Sequence, residues 1–215
     1  MTTSSKHDID YASYQSILCL DGTLPDASFF QVGLPIIAAD GAANTLMRMG
    51  VEPDIVIGDL DSIEPVFRQQ LTTHYHFDQN YCDFEKSLQY LEAESLMPCI
   101  IVGINGGYLD HILNNINIFM RSNNLLYSPP MIGYVLSCDQ SRTLELPLNT
   151  KLSMMGIPSA SVTTRGLQWE LDKSLLTFPG KNSCFNRNVR ANIQITVHEG
   201  CLLLLIYMQQ SARKS

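Results

Sequence analysis

The sequence has 215 residues, of which 45% are hydrophobic and 16% are charged, a composition typical of a folded globular protein. Its formal charge of −7 at pH 7 arises without a basic cluster, which argues against a nucleic-acid or anionic-membrane surface. No apolar run approaches the ~20 residues that cross a bilayer. The first ten residues hold no signal-peptide stretch, so we expect a cytoplasmic protein.

Residues 1–128 repeat one theme, in which an apolar run ends in small or acidic residues and a helical pattern follows. The runs SILCL, LPIIAAD, DIVIGDLDS and CIIVGINGG are apolar at consecutive positions, as in strands covered on both faces. Alternation with helices implies parallel pairing, so we predict an α/β domain with a doubly wound, mainly parallel sheet. Such sheets bind ligands beyond the carboxyl ends of their strands.

Residues 131–215 have a different residue pattern, and the segment SPP after Tyr127 is the best candidate for a linker. Short segments rich in β-formers, among them KLSMMGI, SVTTRGLQWEL, IQITVHEG and CLLLLIYM, are separated by Gly, Pro, Asn or Asp. No long helical period occurs there. We therefore predict a second domain that is a small all-β sandwich.

The stretch GDLDS follows an apolar run and carries Asp59 and Asp61. Extended backbone would send both side chains to the same side, because side-chain direction alternates along a strand. Two close carboxylates repel unless a cation lies between them, and hard oxygen ligands select Mg²⁺ or Ca²⁺. The alternative is an acidic turn in which Asp61 or Ser62 caps a helix that begins near Ile63.

The stretch DFEKSLQYLEAESLM predicts a helix with Phe84, Leu88 and Leu91 on its core face. Asp83 is its predicted N-cap. Lys86 falls in the first turn, where the helix macrodipole disfavours a cation, so its position suits a bound anion. The alternative is a solvated lysine without a role.

Two further loops join a predicted strand to a predicted helix. NGGYLDHILNN offers Gly106 and Gly107, whose backbone can approach a phosphate closely, with Asp110 and His111 in the first helical turn. Turn geometry alone is the alternative explanation of the two glycines. The loop ADGAAN has a similar form, with Asp40, Gly41 and Asn44.

Three other sequence features limit the classes of reaction that the protein can catalyse. LDGTLPD resembles the nucleophile motif of haloacid-dehalogenase phosphatases, but Cys19 stands where the acid is expected, two residues before Asp21. His74 and His76 lack further ligands nearby, and the absence of GxxxxGK[ST] excludes a P-loop enzyme. Acids for Mg²⁺, a lysine for phosphate charge and glycine-rich loops together predict phosphoryl-transfer chemistry.

The motifs ADGAAN, PDIVIGDLDSI, DQNYCDFEKSL, GGYLDHILNNI and GLQWEL resemble, in order and approximate spacing, those of the thiamine pyrophosphokinase family. The resemblance covers roughly Ile17 to Tyr207. It implies an α/β catalytic domain, a β-sandwich for thiamine binding and dimerisation, and a homodimer with active sites at the subunit interface. The implied reaction moves the pyrophosphoryl group of ATP to the hydroxyl of thiamine, giving thiamine diphosphate and AMP.

The resemblance also implies roles for individual residues. Asp59, Asp61 and Asp83 are the implied Mg²⁺ ligands, and Lys86 the implied phosphate contact. The proton acceptor is left open among Asp59, Asp61, Asp83 and Asp110, or no base is needed if the transition state is loose. The implied nucleotide-binding residues are Asp40, Gly41, Asn44, Asp78, Gly106, Gly107, Tyr108 and His111. The implied thiamine-binding residues are Trp169, Ser183 and Asn186.

A cationic thiazolium ring and a stackable pyrimidine suit the indole face of Trp169, although a tryptophan that only fills the core is the alternative. The chain departs from the family pattern at Ala42, Asn80, Cys82 and Tyr108, the last standing where arginine is usual. Two other functions stay open, and the Tyr108 and Asn80 departures favour the first of them. One is a catalytically weak thiamine- or nucleotide-binding protein, and the other is a Mg²⁺-dependent hydrolase of nucleotides or thiamine phosphates.

Overall fold

The computed structural model describes residues 9–208. It contains two compact units, one formed by Asp10–Ser128 and the other by the chain from Pro129 onward together with Ile9. Residues 1–8 and 209–215 lie outside the described residues, and with them the outer ends of the predicted domains 1–128 and 131–215. None of the helices in the described part of the chain combines the length and apolar character that a bilayer-spanning helix needs.

The first unit is built on a six-stranded parallel sheet with the order β6-β5-β1-β2-β3-β4. Its strands are β1 (Ser16–Cys19), β2 (Ile36–Ala39), β3 (Ile55–Gly58), β4 (Thr73–Tyr75), β5 (Cys99–Val102) and β6 (Leu125–Ser128). Its α-helices are α1 (Ala42–Arg48), α2 (Pro65–Arg68), α3 (Asp83–Ala93) and α4 (Leu109–Phe119), and 3₁₀ turns occupy Tyr11–Ser13 and Ala27–Val32.

The direction of winding reverses between β1 and β5, as in a doubly wound sheet. The chain moves outward from β1 to β4 and then returns to the other side of β1. Consecutive residues of the central strands are fully buried, for example Ile17 and Leu18 in β1 and Ile100 and Ile101 in β5. This confirms the predicted α/β class, and it places the loops after β1 and β5 at the reversal point, where ligands of such sheets bind.

Two helix starts differ from the predictions. Helix α2 begins at Pro65 with Glu64 as its N-cap, so the predicted start near Ile63 with an Asp61 or Ser62 cap is wrong. Glu64 is extended and the proline ring favours the first helical position, which together set this start. Helix α3 begins at Asp83, and its N-cap is Cys82 rather than Asp83.

The second unit is all-β among its described residues, which confirms the predicted class. Its strands are β7 (Met131–Ser137), β8 (Ser141–Glu145), β9 (Lys151–Arg165), β10 (Ser174–Thr177), β11 (Ser183–Arg187) and β12 (Asn192–Tyr207). The two long strands β9 and β12 pair with each other, β7 and β8 flank β12, and β10 and β11 flank β9.

The long strands join segments that the sequence presents as separate. IQITVHEG and CLLLLIYM form the single strand β12, and KLSMMGI continues through Pro158 into SVTTR as β9. The pairing of β12 with β9 shifts register between Val197 and Glu199 and again between Gly200 and Leu202. Such bulges let one strand bend and continue past residues that otherwise read as a break.

Candidate active site

A cavity of about 700 Å³ opens at the carboxyl ends of the strands in the first unit. This volume lies within the range of small-molecule sites. Loops after β1 and β2 and the first turns of α3 and α4 form its walls. The predicted site residues that line it are Asp40, Gly41, Asp83, Gly106, Gly107, Tyr108, Asp110 and His111.

Three carboxylates meet beside this cavity, since ligand oxygens of Asp40, Asp59 and Asp61 all lie within 4.8 Å of one another. Asp40 is only 4% exposed, and its Oδ1 has no hydrogen-bond partner. Burial raises the pKa of Asp40, and the charges of Asp83, Asp59 and Asp61 raise it further. An all-oxygen donor set with one buried, unpartnered oxygen fits a hard cation such as Mg²⁺.

Asp59 is held in its ionised form by its surroundings. Its Oδ2 accepts a hydrogen bond from Gln79 Nε2 at 3.1 Å, which is the main cause of its lowered pKa. The backbone N–H of Asp61 and the charge of Lys86 lower this pKa further. An ionised carboxylate is the form that binds a cation.

Gly58 allows strand β3 to end close to two of the acids. A Cβ at this position would lie 2.9 Å from Cβ of Asp40 and 3.2 Å from Oδ1 of Asp83. Its φ of +152° is also a conformation that L side chains rarely adopt. A larger residue would therefore push Asp40 and Asp83 away from their present positions.

Lys86 is buried, with 2% of its side chain exposed, so the alternative of a solvated lysine is wrong. Its Nζ lies 3.1 Å from Oδ1 of Asp83. Asp83 lines the cavity and Lys86 is not among the lining residues. The lysine charge is therefore placed directly behind a carboxylate of the cavity wall.

Two residues predicted for the nucleotide pocket bond to other parts of the protein and are not among the residues that line the cavity. Asn44 donates from Nδ2 to Ser62 O at 2.8 Å, and its Oδ1 accepts from Glu64 N at 2.9 Å. Asp78 accepts from the backbone N–H and the side-chain amide of Asn80, each at 2.8 Å. Asn44 thereby ties helix α1 to the loop that carries Asp59 and Asp61, while direct nucleotide contacts of both residues stay predictions.

Helix α4 contributes more polar side chains to the cavity than Asp110 and His111 alone. Asn114 and Asn115 line the cavity together with Asp110 and His111. Residues three and four positions apart share one face of a helix, so the spacing from Asp110 and His111 was the available signal. Tyr108, the N-cap of α4, is 79% exposed.

Asp21 is a further cavity residue that the sequence analysis did not assign. It follows β1 at the reversal point of the sheet, and its Oδ2 lies 2.7 Å from where a Cβ would stand on Gly41. Directly before the motif LDGTLPD, Cys19 stands where a nucleophilic acid is expected. The motif's place at the end of a central strand was nevertheless a valid signal for a ligand-facing acid.

In the second unit, the three predicted thiamine-binding residues lie together. The indole of Trp169 is 56% exposed, so the alternative of a tryptophan that only fills the core is wrong. Asn186 is 1% exposed. Its amide donates to Trp169 O at 2.8 Å and Ser183 Oγ at 3.2 Å, and its Oδ1 accepts from Trp169 N at 3.2 Å. Asn186 therefore holds the backbone of the exposed tryptophan.

Two family models match the sequence. The one described as "Thiamin pyrophosphokinase, catalytic domain" matches residues 33–127, and the one described as "Thiamin pyrophosphokinase, vitamin B1 binding domain" matches residues 141–202. Among curated proteins, the chain is 28% identical to thiamine pyrophosphokinase 1 of Oryza sativa subsp. japonica, with 74% of each chain covered. It is 26% identical to thiamine pyrophosphokinase 2 of Arabidopsis thaliana, covering 70% of this chain and 69% of that protein.

Solved structures share the fold. Yeast thiamin pyrophosphokinase aligns with a TM-score of 0.77 and 18% identity, over 95% of this chain and 88% of that one. Thiamine pyrophosphokinase from Bacillus subtilis aligns with a TM-score of 0.75 and 19% identity, over 91% of this chain and 100% of that one. With both family models matched in order along the sequence, the chain belongs to the thiamine pyrophosphokinase family.

Proposed function

We propose that this protein is a thiamine diphosphokinase that transfers the pyrophosphoryl group of ATP to the hydroxyl of thiamine, releasing AMP. The observation that carries the proposal is the group of Asp40, Asp59 and Asp61 beside a cavity at the reversal point of a parallel sheet. Phosphoryl transfer depends on positioning and charge neutralisation, and a group of carboxylates that holds Mg²⁺ supplies the latter. The family membership of both parts of the chain supports the same reaction.

Asp59 and Asp61 are the proposed Mg²⁺ ligands, and the unpartnered Oδ1 of Asp40 makes this residue a third candidate. Bound Mg²⁺ would neutralise negative charge on the phosphate groups. Asp83, the further Mg²⁺ ligand predicted from the sequence, lines the cavity and is proposed to hold the charge of Lys86 beside it. Direct contact of Lys86 with phosphate oxygens stays a prediction.

The nucleotide is proposed to occupy the cavity in the first unit. Gly106 and Gly107 precede the N-terminus of α4, where backbone N–H groups attract phosphate. Tyr108 and His111, whose ring centroids lie 6.2 Å apart, are the proposed aromatic contacts of the adenine ring. Asp110 and Asp83 both line the cavity, and this supports proposing them, among the acids considered, as acceptors of the proton of the attacking hydroxyl.

Thiamine is proposed to stack on the exposed indole of Trp169. Ser183 is the proposed polar contact, and Asn186 acts by holding the backbone of Trp169. A homodimer with active sites at the subunit interface is part of the proposal, and the cytoplasmic location stays a sequence-based prediction.

The direct test is to incubate the purified protein with thiamine, ATP and Mg²⁺ and to separate the products by chromatography. Thiamine diphosphate and AMP in equal amounts are expected. Asp59→Asn should abolish product, whereas the matched control Asp26→Asn, an exposed acid away from the cavity, should not. Recovery of unchanged thiamine from the unaltered protein contradicts the proposal.

A weak binding protein is the second candidate, favoured by the exposed Tyr108 at a position where the family usually has arginine. In that case thiamine and ATP bind, for example in calorimetry, but no thiamine diphosphate forms. A Mg²⁺-dependent hydrolase would instead release phosphate from ATP or thiamine phosphates without an acceptor alcohol. The same chromatographic assay separates these outcomes.

A further inference from the structure

The segment 164–171, here called the tryptophan turn, carries Trp169 outward from the end of strand β9. Leu167 and Leu171 on either side of the tryptophan are buried, at 2% and 8% exposure. The N–H of Thr164 donates to Leu171 O at 2.9 Å, and the N–H of Gln168 donates to Arg187 O at 2.8 Å. The turn is therefore anchored on both sides of an exposed indole.

Glu170 is exposed overall, and its carboxylate bridges three groups of this turn. Its Oε1 accepts from Gly166 N at 2.6 Å and from Leu167 N at 3.1 Å. Its Oε2 accepts from Thr164 Oγ1 at 2.6 Å, and this hydroxyl oxygen in turn accepts from Leu171 N at 2.9 Å. One carboxylate thus serves three donors, and charged acceptors make stronger hydrogen bonds than neutral ones.

The backbone conformation at Gly166 and Leu167 depends on the Glu170 carboxylate as a hydrogen-bond acceptor. Gly166 has a φ of +93°, and a Cβ there would lie 2.8 Å from Asn192 O. Its carbonyl accepts from Val189 N at 2.8 Å, so one side of its peptide is already fixed. Without the Glu170 carboxylate, the N–H groups at Gly166 and Leu167 would lose their acceptor and the corner could relax.

We propose that Glu170 is a positioning residue, which acts through the tryptophan turn to fix the indole of Trp169 in the orientation that receives thiamine. The inference rests on the proposed function for the identity of the ligand. Glu170 follows Trp169 directly and is tied to Gly166 and Leu167, while Asn186 on strand β11 bonds the backbone of Trp169. An aromatic group held in its binding orientation loses less freedom when the ligand arrives, which strengthens binding.

Trp169 is the only tryptophan in the sequence, so its fluorescence reports on the turn without any ligand. In Glu170→Ala we expect lower steady-state anisotropy and stronger acrylamide quenching than in the unaltered protein. We also expect the KM for thiamine to rise about tenfold while kcat and the KM for ATP stay within about twofold.

Two further variants serve as controls. Glu170→Gln keeps an oxygen for the two backbone N–H groups and offers an amide to Thr164 Oγ1, so the KM for thiamine should change by less than about 1.5-fold. Glu199→Ala removes an exposed acid of β12 outside the turn, and it should change neither the anisotropy nor the KM.

If Glu170→Ala does not fold, Thr164→Val provides the test. Thr164 is fully buried, and valine keeps its shape while removing the hydroxyl that links Glu170 to Leu171 N. A smaller change of the same kind is expected: lower anisotropy and a KM for thiamine raised about threefold, with the KM for ATP unchanged.

The outcomes separate the inference from the proposed function. Unchanged anisotropy and quenching in a folded Glu170→Ala variant would overturn the inference. Lower anisotropy of Trp169 with an unchanged KM for thiamine would also overturn it. The KM of Trp169→Ala for thiamine then shows which of the two proposals is wrong. If Trp169→Ala raises the KM for thiamine, only the positioning role of Glu170 is wrong; if it does not, the proposed thiamine site is wrong as well.

Discussion

The Nζ of Lys86 lies 3.1 Å from Oδ1 of Asp83, and the two side chains differ in burial, with 2% of the lysine exposed and 37% of the aspartate. Water therefore reaches the carboxylate but not the ammonium group. An unpaired charge is far more unfavourable when buried than when exposed. The two residues should consequently differ in what their removal does to stability.

We expect Asp83→Ala to destabilise the protein by about 2–4 kcal/mol, because the ammonium of Lys86 stays buried without its partner. Lys86→Met should have a smaller effect, about 1 kcal/mol, because Asp83 can be hydrated. Urea denaturation of both variants measures the difference. Equal losses, or a larger loss in Lys86→Met, would contradict this account.

The double variant Asp83→Ala/Lys86→Met separates stability from activity. Removing both charges leaves no unpaired buried group, so most of the stability lost in Asp83→Ala should return. Turnover should stay low, because the proposed phosphate-neutralising charge is gone. Recovery of turnover in the double variant would show that neither charge is needed for the reaction.

The carboxylates of Asp40, Asp59 and Asp61 should make the metal-free protein less stable than it could be. Like charges within 4.8 Å repel, so Asp40→Asn should raise the melting temperature in EDTA by about 2–4 °C. The same variant should lose most of the stabilisation that Mg²⁺ gives the unaltered protein. Thermal unfolding with EDTA and with Mg²⁺ measures both effects.

Asp26→Asn is the control for this experiment, since Asp26 is exposed and does not line the cavity. It should leave both the melting temperature in EDTA and the response to Mg²⁺ unchanged. If Asp40→Asn responds to Mg²⁺ as fully as this control does, Asp40 is not a metal ligand.

Gly58→Ala should displace Asp40 and Asp83 without changing the chemistry of their side chains. The added Cβ would meet Cβ of Asp40 and Oδ1 of Asp83, at an unfavourable φ of +152°. We expect a loss of about 1–3 kcal/mol in stability and a higher Mg²⁺ requirement for activity. Gly50→Ala is the comparison, because Gly50 has a φ of +73° but nothing within 4 Å of its Cβ position. It should lower stability and leave the Mg²⁺ requirement unchanged.

The sequence predicts those features of the site that depend on neighbouring residues. Asp59 and Asp61 could be paired because alternation along an extended segment is a local rule. Asp40 joins them only because β2 pairs with β3, where Ala39 lies opposite Ile57. This register is a long-range property that a single loop sequence does not contain.

Asn186 and Lys86 show a second limit. Both are polar residues in motifs that suggest a ligand, yet both are buried at 1% and 2% exposure. Two of the groups that bond to the Asn186 side chain are the backbone N–H and carbonyl of Trp169, which lies 17 residues away and is brought there by the fold of the second unit. Residue type and spacing therefore identified the region of the site, whereas the division between contacting and supporting residues required the structure.

Trp169→Ala should raise the KM for thiamine and leave the KM for ATP unchanged. Because the indole is 56% exposed, its removal should change stability by less than about 1 kcal/mol. We expect the KM for thiamine to rise at least about tenfold, since a stacked cationic ring loses its aromatic partner. Steady-state kinetics with each substrate varied in turn measures the two KM values, and equal increases in both would contradict the stacking role.

A shared active site predicts recovery of activity from two defective proteins. Asp61→Asn damages the proposed metal site, and Trp169→Ala damages the proposed thiamine site. If each active site combines the metal site of one subunit with the tryptophan of the other, a mixed dimer contains one site with both defects and one intact site. Random exchange would then restore about one quarter of the original activity.

The measurement requires dissociation, mixing and reassociation, with differently tagged subunits to verify that mixed dimers form. The assay uses a thiamine concentration at which Trp169→Ala alone is nearly inactive. If instead each site is built within one subunit, every site in the mixed dimer carries one defect and activity does not return. Verified mixed dimers without recovery would therefore place the tryptophan and the carboxylates of one active site on the same chain.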